Sequence, residues 1–84
     1  MFNLNGYKIL SIGLKAEYLR VNGQHLINYV SDETLINLYS LHDFYVEVRF
    51  DKSKQKIVGI DAFNSKPRLD RYIDQIKLDD LWRL

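Results

Sequence analysis

The sequence contains no cysteine, a single proline and a single tryptophan, and only four glycines among its 84 residues. Without cysteine, the chain cannot form disulfides, thiolate zinc sites or a cysteine nucleophile. The glycines lie far apart, so no glycine-rich loop is available to cradle a phosphate group. We therefore expect neither a cofactor nor a metal. The glycines are Gly6, Gly13, Gly23 and Gly59.

The chain also lacks an excess of either charge and any long apolar run. Twelve Lys and Arg against eleven Asp and Glu give a formal net charge of +1. That balance is too even for a general attraction to nucleic acid. The first residues, Met1 to Gly6, carry no basic leader, and no segment reaches the length of a membrane span. We expect a cytoplasmic protein that does not engage a membrane.

What the sequence does contain is typical of a folded domain. Apolar residues make up 46% of the chain and aromatic residues 13%, which argues against disorder because aromatic rings bury large areas. At 84 residues there is room for one core, so we expect a single domain over residues 1–84. Such a core is thin, which leaves open that some apolar surface is buried against a partner or a second copy.

The clearest pattern is the run Phe44–Asp51, in which apolar side chains alternate with polar or amphipathic ones. Because successive strand side chains point to opposite faces, this run predicts a central strand with one dry face and one wet face. Three further runs predict strands, and the segments between them are short and polar, as hairpin loops are. The predicted strands are His25–Val30, Thr34–Ser40, Phe44–Phe50 and Lys56–Phe63.

A helix is predicted before the strands, from Tyr7 to Val21, with Asn5 as its cap and Gly23 just past its end. The alternative is an early hairpin that turns at Asn5–Gly6, because Asn-Gly is a strong turn signal. The helix would bury one apolar stripe at helical spacing. That stripe is Leu10, Leu14, Tyr18 and Val21.

A second helix is predicted after the strands, beginning near Ser65 with Pro67 in its first turn. Its stripe is Leu69, Tyr72, Ile73 and Ile76. The segment Asp79–Trp82 is predicted to close the chain as a short turn that lays Leu81 and Trp82 on the core. The predicted fold class is therefore α+β: an N-terminal helix, a four-stranded antiparallel meander, and a C-terminal helix packed on one face of the sheet.

The loop around His42–Asp43 decides the register of the second and third strands. A two-residue loop would pair Leu38 with Glu47 and Asn37 with Val48, which mixes apolar with polar side chains. A three-residue loop would pair Leu38 with Val46 and keep one face apolar. We predict the three-residue loop, because a slip of one residue inverts every side chain of a strand.

The predicted strand pair resembles a group of short bacterial proteins of uncharacterised activity. The likeness rests on Leu38–Leu41, Phe44–Val48 and Ile57–Phe63, followed by Leu69–Ile73 with Ile76 and Leu78, and spans about residues 34 to 81. It supports the order of a meander followed by a helix. It implies no activity and assigns no functional residue.

Several residues are candidates for chemistry, and each has a simpler structural interpretation. An Asp beside a His, as in His42–Asp43, can orient an imidazole, but both residue types also suit a tight turn. His25 would need further ligands to hold a metal. The acids of the wet face could act as acid and base, although cross-strand ion pairs are the preferred interpretation. The charged residues of that face are Glu47, Arg49, Asp51 and Asp61.

The best functional indication is the enrichment of tyrosine and arginine on the predicted wet face, because these types are common in binding hot spots. We predict a non-enzymatic interaction domain whose exposed sheet face binds a protein partner or a second copy. The predicted contact residues are Tyr39, Tyr45, Glu47 and Arg49. The alternative is weak nucleic-acid binding by a lysine hairpin, formed by Lys52, Lys54 and Lys56. An enzyme is the least favoured class, because no nucleophile–base pair is recognisable.

Overall fold

The computed structural model of the chain describes residues 2–75. Within this range, three helices and four strands follow one another as helix, helix, meander, helix, and this confirms the predicted fold class. The predicted turn Asp79–Trp82 and the stripe residue Ile76 lie outside the described residues. The helices are α1 (Leu4–Lys8), α2 (Ile12–Asn22) and α3 (Lys66–Gln75), and the strands are β1 (Gln24–Ser31), β2 (Thr34–Leu41), β3 (Phe44–Asp51) and β4 (Lys56–Phe63).

The four strands form one antiparallel sheet in the order β1-β2-β3-β4. The predicted strands are correct to within one residue at each end. The loops β1–β2 and β2–β3 are two-residue turns, and each is opened by a residue with positive φ: Asp32 at 55° and His42 at 56°. Asp and His tolerate this left-handed conformation better than most residues, so the turns suit the sequence.

The predicted register of β2 on β3 is wrong. The observed pairs are Leu38 with Glu47 and Asn37 with Val48, as a two-residue loop requires. The prediction assumed that only one face of the sheet is dry, whereas both faces carry apolar side chains. Leu38 is buried although it lies beside Glu47, because it packs with Phe63 and Tyr72.

The predicted N-terminal helix is in fact two helices. Asn3, rather than Asn5, caps α1, because its Oδ1 accepts from the amide of Gly6 at 2.8 Å. Ser11 caps α2, with its Oγ accepting from the amide of Leu14 at 3.2 Å. A capping residue takes extended backbone angles, so Ser11 interrupts the helix that the apolar spacing predicts. The alternative hairpin at Asn5–Gly6 is also wrong, since both residues lie within α1.

Two hydrophobic clusters lie on opposite faces of the sheet. On the N-helix face, which carries Phe44, Val46 and Val48, the sheet packs against Tyr7 of α1 and Leu19 of α2. The hydroxyl of Tyr7 donates to the carbonyl of Lys15 at 2.8 Å, which links the two helices. Burial raises the pKa of Tyr7 to about 12. This face holds most of the core.

The opposite face, which carries Tyr45, Glu47 and Arg49, lies under α3 and is called the α3 face below. Leu38 and Phe63 of the sheet and Tyr72 of α3 form its buried cluster. The predicted start of α3 is confirmed: Ser65 Oγ accepts from the amide of Arg68 at 3.4 Å. The sheet is therefore sandwiched between two helical layers, and the wet face predicted from β3 is largely covered.

Truncation of Val48, which is 8% exposed, tests the core of the N-helix face. Val48→Ala should lower the free energy of unfolding by roughly 1–3 kcal/mol, because burial is lost and a cavity remains. The matched control is Val58→Ala, since Val58 is 42% exposed and should change that free energy by less than about 0.5 kcal/mol. Urea unfolding measures both. Equal losses in the two variants would contradict the assignment of Val48 to the core.

Candidate functional site

Glu47 is the centre of the polar groups on the α3 face, although its side chain is only 14% exposed. Strand β3 directs it towards α3, where the hydroxyl of Tyr72 donates a short hydrogen bond to its Oε1. On the other side, Arg49 Nη1 donates to Oε2 at 2.8 Å. A carboxylate this far from water is tolerated because charged and polar donors replace its hydration.

Arg68 of α3 joins the two carboxylates of this face. Its Nη2 lies 2.5 Å from Asp61 Oδ2 and 3.3 Å from Glu47 Oε2. The guanidinium carbon also lies 4.2 Å from the ring centroid of Phe63, a geometry in which the ring attracts the cation. Glu47, Arg49, Asp61, Arg68 and Tyr72 together form what we call the polar clamp, which fastens α3 to β3 and β4.

Gly59 makes room for the clamp. It lies opposite Arg49 on the neighbouring strand, and a Cβ atom at this position would collide with the guanidinium of Arg49. The absence of a side chain therefore lets Arg49 lie flat across the sheet towards Glu47. The backbone of Gly59 does not adopt a positive φ, and a larger residue here would meet the end of the Arg49 side chain, which would have to move.

Tyrosines line the clamp on its apolar side. The ring of Tyr72 stacks on Phe63 with a centroid separation of 6.3 Å and meets Tyr29 edge to face at 5.9 Å. Burial, and then the hydrogen bond to Glu47, raise the pKa of Tyr72 well above its ordinary value. Burial and the charge of Glu47 also raise the pKa of Tyr29. Both phenols are thus held in their neutral, hydrogen-bonding form.

A polar cleft of about 160 Å³ opens beside the clamp, lined by Tyr29, Glu47, Arg68, Arg71 and Tyr72. Its carboxylate already accepts from Tyr72, Arg49 and Arg68. Three of the roughly four lone-pair positions of this carboxylate are thus occupied by donors of the domain itself. The arrangement therefore suits the docking of α3. The ion pairs among residues 2–75 of this face run along β3 and from α3 to the sheet, and not between neighbouring strands as preferred from the sequence.

The predicted partner patch is not one surface. Tyr45, Glu47 and Arg49 share the α3 face, but Tyr39 pairs with Val46 and lies on the N-helix face. The prediction of one shared open face is wrong because its register was wrong and because α3 covers that face. Of the three that remain, Tyr45 packs on Phe63 at 5.9 Å, and Arg49 keeps 39% of its side chain exposed. A partner-binding role for these residues stays a prediction.

The two histidines lie apart, and each contacts a different tyrosine. His42 Nε2 lies 2.6 Å from the hydroxyl of Tyr18, which ties the β2–β3 turn to α2. His25 meets the ring of Tyr39 edge to face at 5.3 Å. Between residues 2 and 75, no three or more His, Asp and Glu side chains come together in a way that could hold a metal ion.

The lysine hairpin projects from the end of the sheet that also carries the β1–β2 turn. Lys52, Lys54 and Lys56 are all exposed. Asp51 organises the loop, because its Oδ1 accepts from the amides of Ser53 and Lys54 at 2.9 and 3.0 Å. The hydroxyl of Ser53 and the amide of Lys54 lower the pKa of Asp51.

An acidic turn lies beside these lysines. The amide of Lys52 donates to the carbonyl of Glu33 at 2.8 Å, so Asp32 and Glu33 lie at the same end of the sheet. Their charges, with that of Asp51, offset the three lysines and reduce the attraction to a phosphate backbone.

An apolar groove was missed by sequence reasoning. It occupies about 300 Å³ on the outer side of the N-terminal helices. Its apolar lining, which defines the groove below, is Phe2, Leu10, Leu14, Tyr18 and Val21. The last four are the stripe that was predicted to be buried. Instead Leu14 and Val21 are 59% and 65% exposed, because α2 turns Leu19 towards the sheet. The stripe itself was the signal. Its predicted burial is wrong for Leu14 and Val21, whereas Leu10 and Tyr18 are partly buried against the core.

Comparisons with known proteins assign no relationship to this chain. No family model matches it, and neither the curated proteins nor the solved structures contain a significantly similar one. No helix within the part of the chain that the structure describes is long and apolar enough to cross a membrane. The likeness to short bacterial proteins therefore stays a prediction, and function must be argued from the surface.

Tyr72→Phe tests the clamp. Loss of the hydroxyl leaves Glu47 without one of its donors, so the free energy of unfolding should fall by roughly 1.5–3 kcal/mol at pH 7. The folded-state pKa of Tyr72 lies above the unfolded value of 10.0. Its contribution is therefore complete below pH 10 and is lost as the pH rises further, at about 1.4 kcal/mol per pH unit. The Phe variant should show a shallower loss of stability above that pH.

Urea unfolding between pH 7 and about pH 11 measures both effects. Tyr45→Phe is the control, because within residues 2–75 the hydroxyl of Tyr45 makes no hydrogen bond. A Tyr72→Phe variant as stable as this control at every pH would contradict the clamp.

Proposed function

We propose that this domain is a non-enzymatic protein-interaction module that binds its partner through the apolar groove. The observation that carries the proposal is the exposure of large apolar side chains on the N-terminal helices. Leu14 and Val21 of the groove are more than half exposed, and Phe2 is 38% exposed. Two further side chains of this helical layer, Ile9 and Ile12, are 86% and 49% exposed.

Exposed apolar side chains are ordinary when they are scattered, but a contiguous patch on a small domain marks an interaction site. Here the side chains converge on one concave surface, and Phe2 meets Tyr18 edge to face at 5.0 Å. Covering Leu14 and Val21 would contribute about 1–2 kcal/mol each. The groove therefore offers apolar binding energy without any change in the fold.

The polar rim indicates the chemistry of the occupant. Glu17 is paired with Arg20, with Arg20 Nη2 lying 2.5 Å from Glu17 Oε1. The side-chain amide of Asn22 donates through Nδ2 to the carbonyl of Tyr18 at 3.1 Å. Because these groups already have partners, the groove favours an uncharged occupant. We propose an apolar segment of another protein chain, which places one or two large side chains in the groove.

Binding through an open sheet face, as predicted from the sequence, has less support, because α3 covers that face. Nucleic-acid binding by Lys52, Lys54 and Lys56 also has less support, since acidic residues lie beside the lysines. An enzymatic role has no observation in its favour. The interaction class proposed from the sequence is retained, and only its surface changes.

Site-specific photocrosslinking in the native cell tests the proposal. A benzoylphenylalanine at Val21 should give a discrete adduct with another protein, and Leu14→Glu in the same chain should remove it. The control position is Lys54, which is exposed but distant from the groove and should give no such adduct. The absence of an adduct from Val21, or an adduct that survives Leu14→Glu, would contradict the proposal. An adduct made only of two copies would show that the occupant is the chain itself, which also contradicts it.

A further inference from the structure

We propose that two copies of this chain pair through their β1 edges, antiparallel and about a two-fold axis at Asn28, to form one continuous eight-stranded sheet. This rests on the proposed function, an interaction module, and adds a second surface and a defined partner. Strand β1 is at the end of the sheet order, while α1 and α2 pack against β4 at the other end.

Within residues 2–75, β1 pairs with β2 alone, so its outer edge is unpaired in this part of the chain. In an antiparallel hairpin with a two-residue loop, the flanking pair, here Ser31 and Thr34, exchanges both hydrogen bonds. By the same alternation, the backbone amides and carbonyls of Tyr29 and Ile27 point towards β2. Those of Asn28 and Val30 therefore point away from β2, towards the outer edge. A bulge leaves Leu26 without a partner on β2.

The side chains of β1 do not oppose association. Edge strands are usually protected by lysines, prolines or short length. Strand β1 has eight residues, Gln-His-Leu-Ile-Asn-Tyr-Val-Ser, and contains no Lys, Arg, Asp, Glu or Pro. Leu26 and Val30 are 41% and 54% exposed. Two identical strands can therefore approach each other without repulsion between like charges.

The order of residues in β1 selects one register. Residues that oppose each other across an antiparallel pair point to the same face of the sheet. A two-fold axis perpendicular to the sheet must therefore lie midway between one residue and its copy on the other strand. With the axis at Asn28, Leu26 of each copy lies opposite Val30 of the other and Ile27 of each lies opposite Tyr29 of the other. Asn28 lies opposite Asn28. Every apolar residue then meets an apolar residue, and the two amides can hydrogen-bond to each other.

Neighbouring registers lose this match. An axis at Ile27 opposes Leu26 to Asn28, and an axis at Tyr29 opposes Asn28 to Val30. Both place an amide against an apolar side chain on each side of the axis. The sequence of β1 is thus self-complementary about Asn28 and not about the residues on either side of it.

An apolar row extends the contact beyond the strand pair. The cross-strand partners Val30, Leu35, Phe50 and Ile57 lie side by side on the N-helix face. Val30 and Ile57, at its two ends, are 54% and 37% exposed. Pairing would bring the row of one copy next to Leu26 of the other. Because the contact rests on one pair of edge strands and a few side chains, we expect a concentration-dependent dimer rather than a permanent one.

Analytical ultracentrifugation of the full chain tests the pairing, over concentrations from about 10 μM to about 1 mM. The mass should rise from 10.0 kDa towards twice that value. Asn28→Lys places two lysines opposite each other at the axis. It should raise the dissociation constant at least about tenfold. At the lowest concentration, where the wild-type chain is mainly a monomer, it should leave the unfolding midpoint unchanged, because Asn28 is exposed. Leu14→Glu, in the groove, is the control and should leave dimerisation unchanged.

A charge exchange tests the register. The variant Leu26→Lys with Val30→Lys opposes lysines across the axis, and Leu26→Glu with Val30→Glu opposes glutamates, so each alone should be monomeric. A mixture should form a heterodimer, because each Lys then meets a Glu. If circular dichroism shows both variants to be folded, a mixture that stays monomeric would overturn the register.

A wild-type chain that is monomeric up to the highest concentration would overturn the pairing but leave the groove proposal intact, because crosslinking at Val21 tests that separately. A dimer that is unaffected by Asn28→Lys but lost in Leu14→Glu would overturn both, since the groove would then be occupied by a second copy.

Discussion

The attachment of α3 to Glu47 is the interaction on which the arrangement of this domain depends. The hydroxyl of Tyr72 and the guanidinium of Arg68 approach the carboxylate from α3, while Arg49 approaches it from its own strand. If one of these donors is removed, the largely buried carboxylate of Glu47 is left without a full set of partners. Leaving a buried charge unpaired in this way is strongly unfavourable. The clamp therefore closes the second face of the sheet and buries Leu38 and Phe63.

Closure of both faces determines where the remaining apolar surface lies. A meander with one bare face would use that face for binding, as the sequence predicted. Here both faces carry helices, and large apolar side chains are instead exposed on α2, on the edge strand β1 and on β4. The two proposed contacts follow from this, one through side chains and the other through the backbone of an edge strand.

The strands could be predicted closely from the sequence, because alternation and polar turns are local signals that tertiary contacts reinforce. The register of β2 on β3 could not, because it was derived from a one-faced sheet. β2 carries apolar residues on both faces, with Leu38 on one and Leu41 on the other. Alternation in β3 alone does not reveal that Glu47 lies under a helix rather than in water.

The helices show a similar limit. Periodicity identified the stripe Leu10, Leu14, Tyr18 and Val21, but it does not say which of two apolar stripes faces the sheet. Leu19 and Ala16 form the competing face of α2, and Tyr7 of α1 completes it. Ser11 is a weak boundary signal within a run that otherwise continues the helical period, so the break between α1 and α2 was missed. Both errors affected the surface now proposed to bind a partner.

The central claim is that α3 covers the face that carries Glu47, and nuclear Overhauser contacts in the unmodified chain test it most directly. Tyr72 ring protons should show cross-peaks to the ring protons of both Phe63 and Tyr29, whose centroids lie 6.3 and 5.9 Å from its own. Their absence, with the Tyr72 ring shifts near those of an unfolded peptide, would contradict the account, because the sheet would then present an open Tyr/Arg face to solvent.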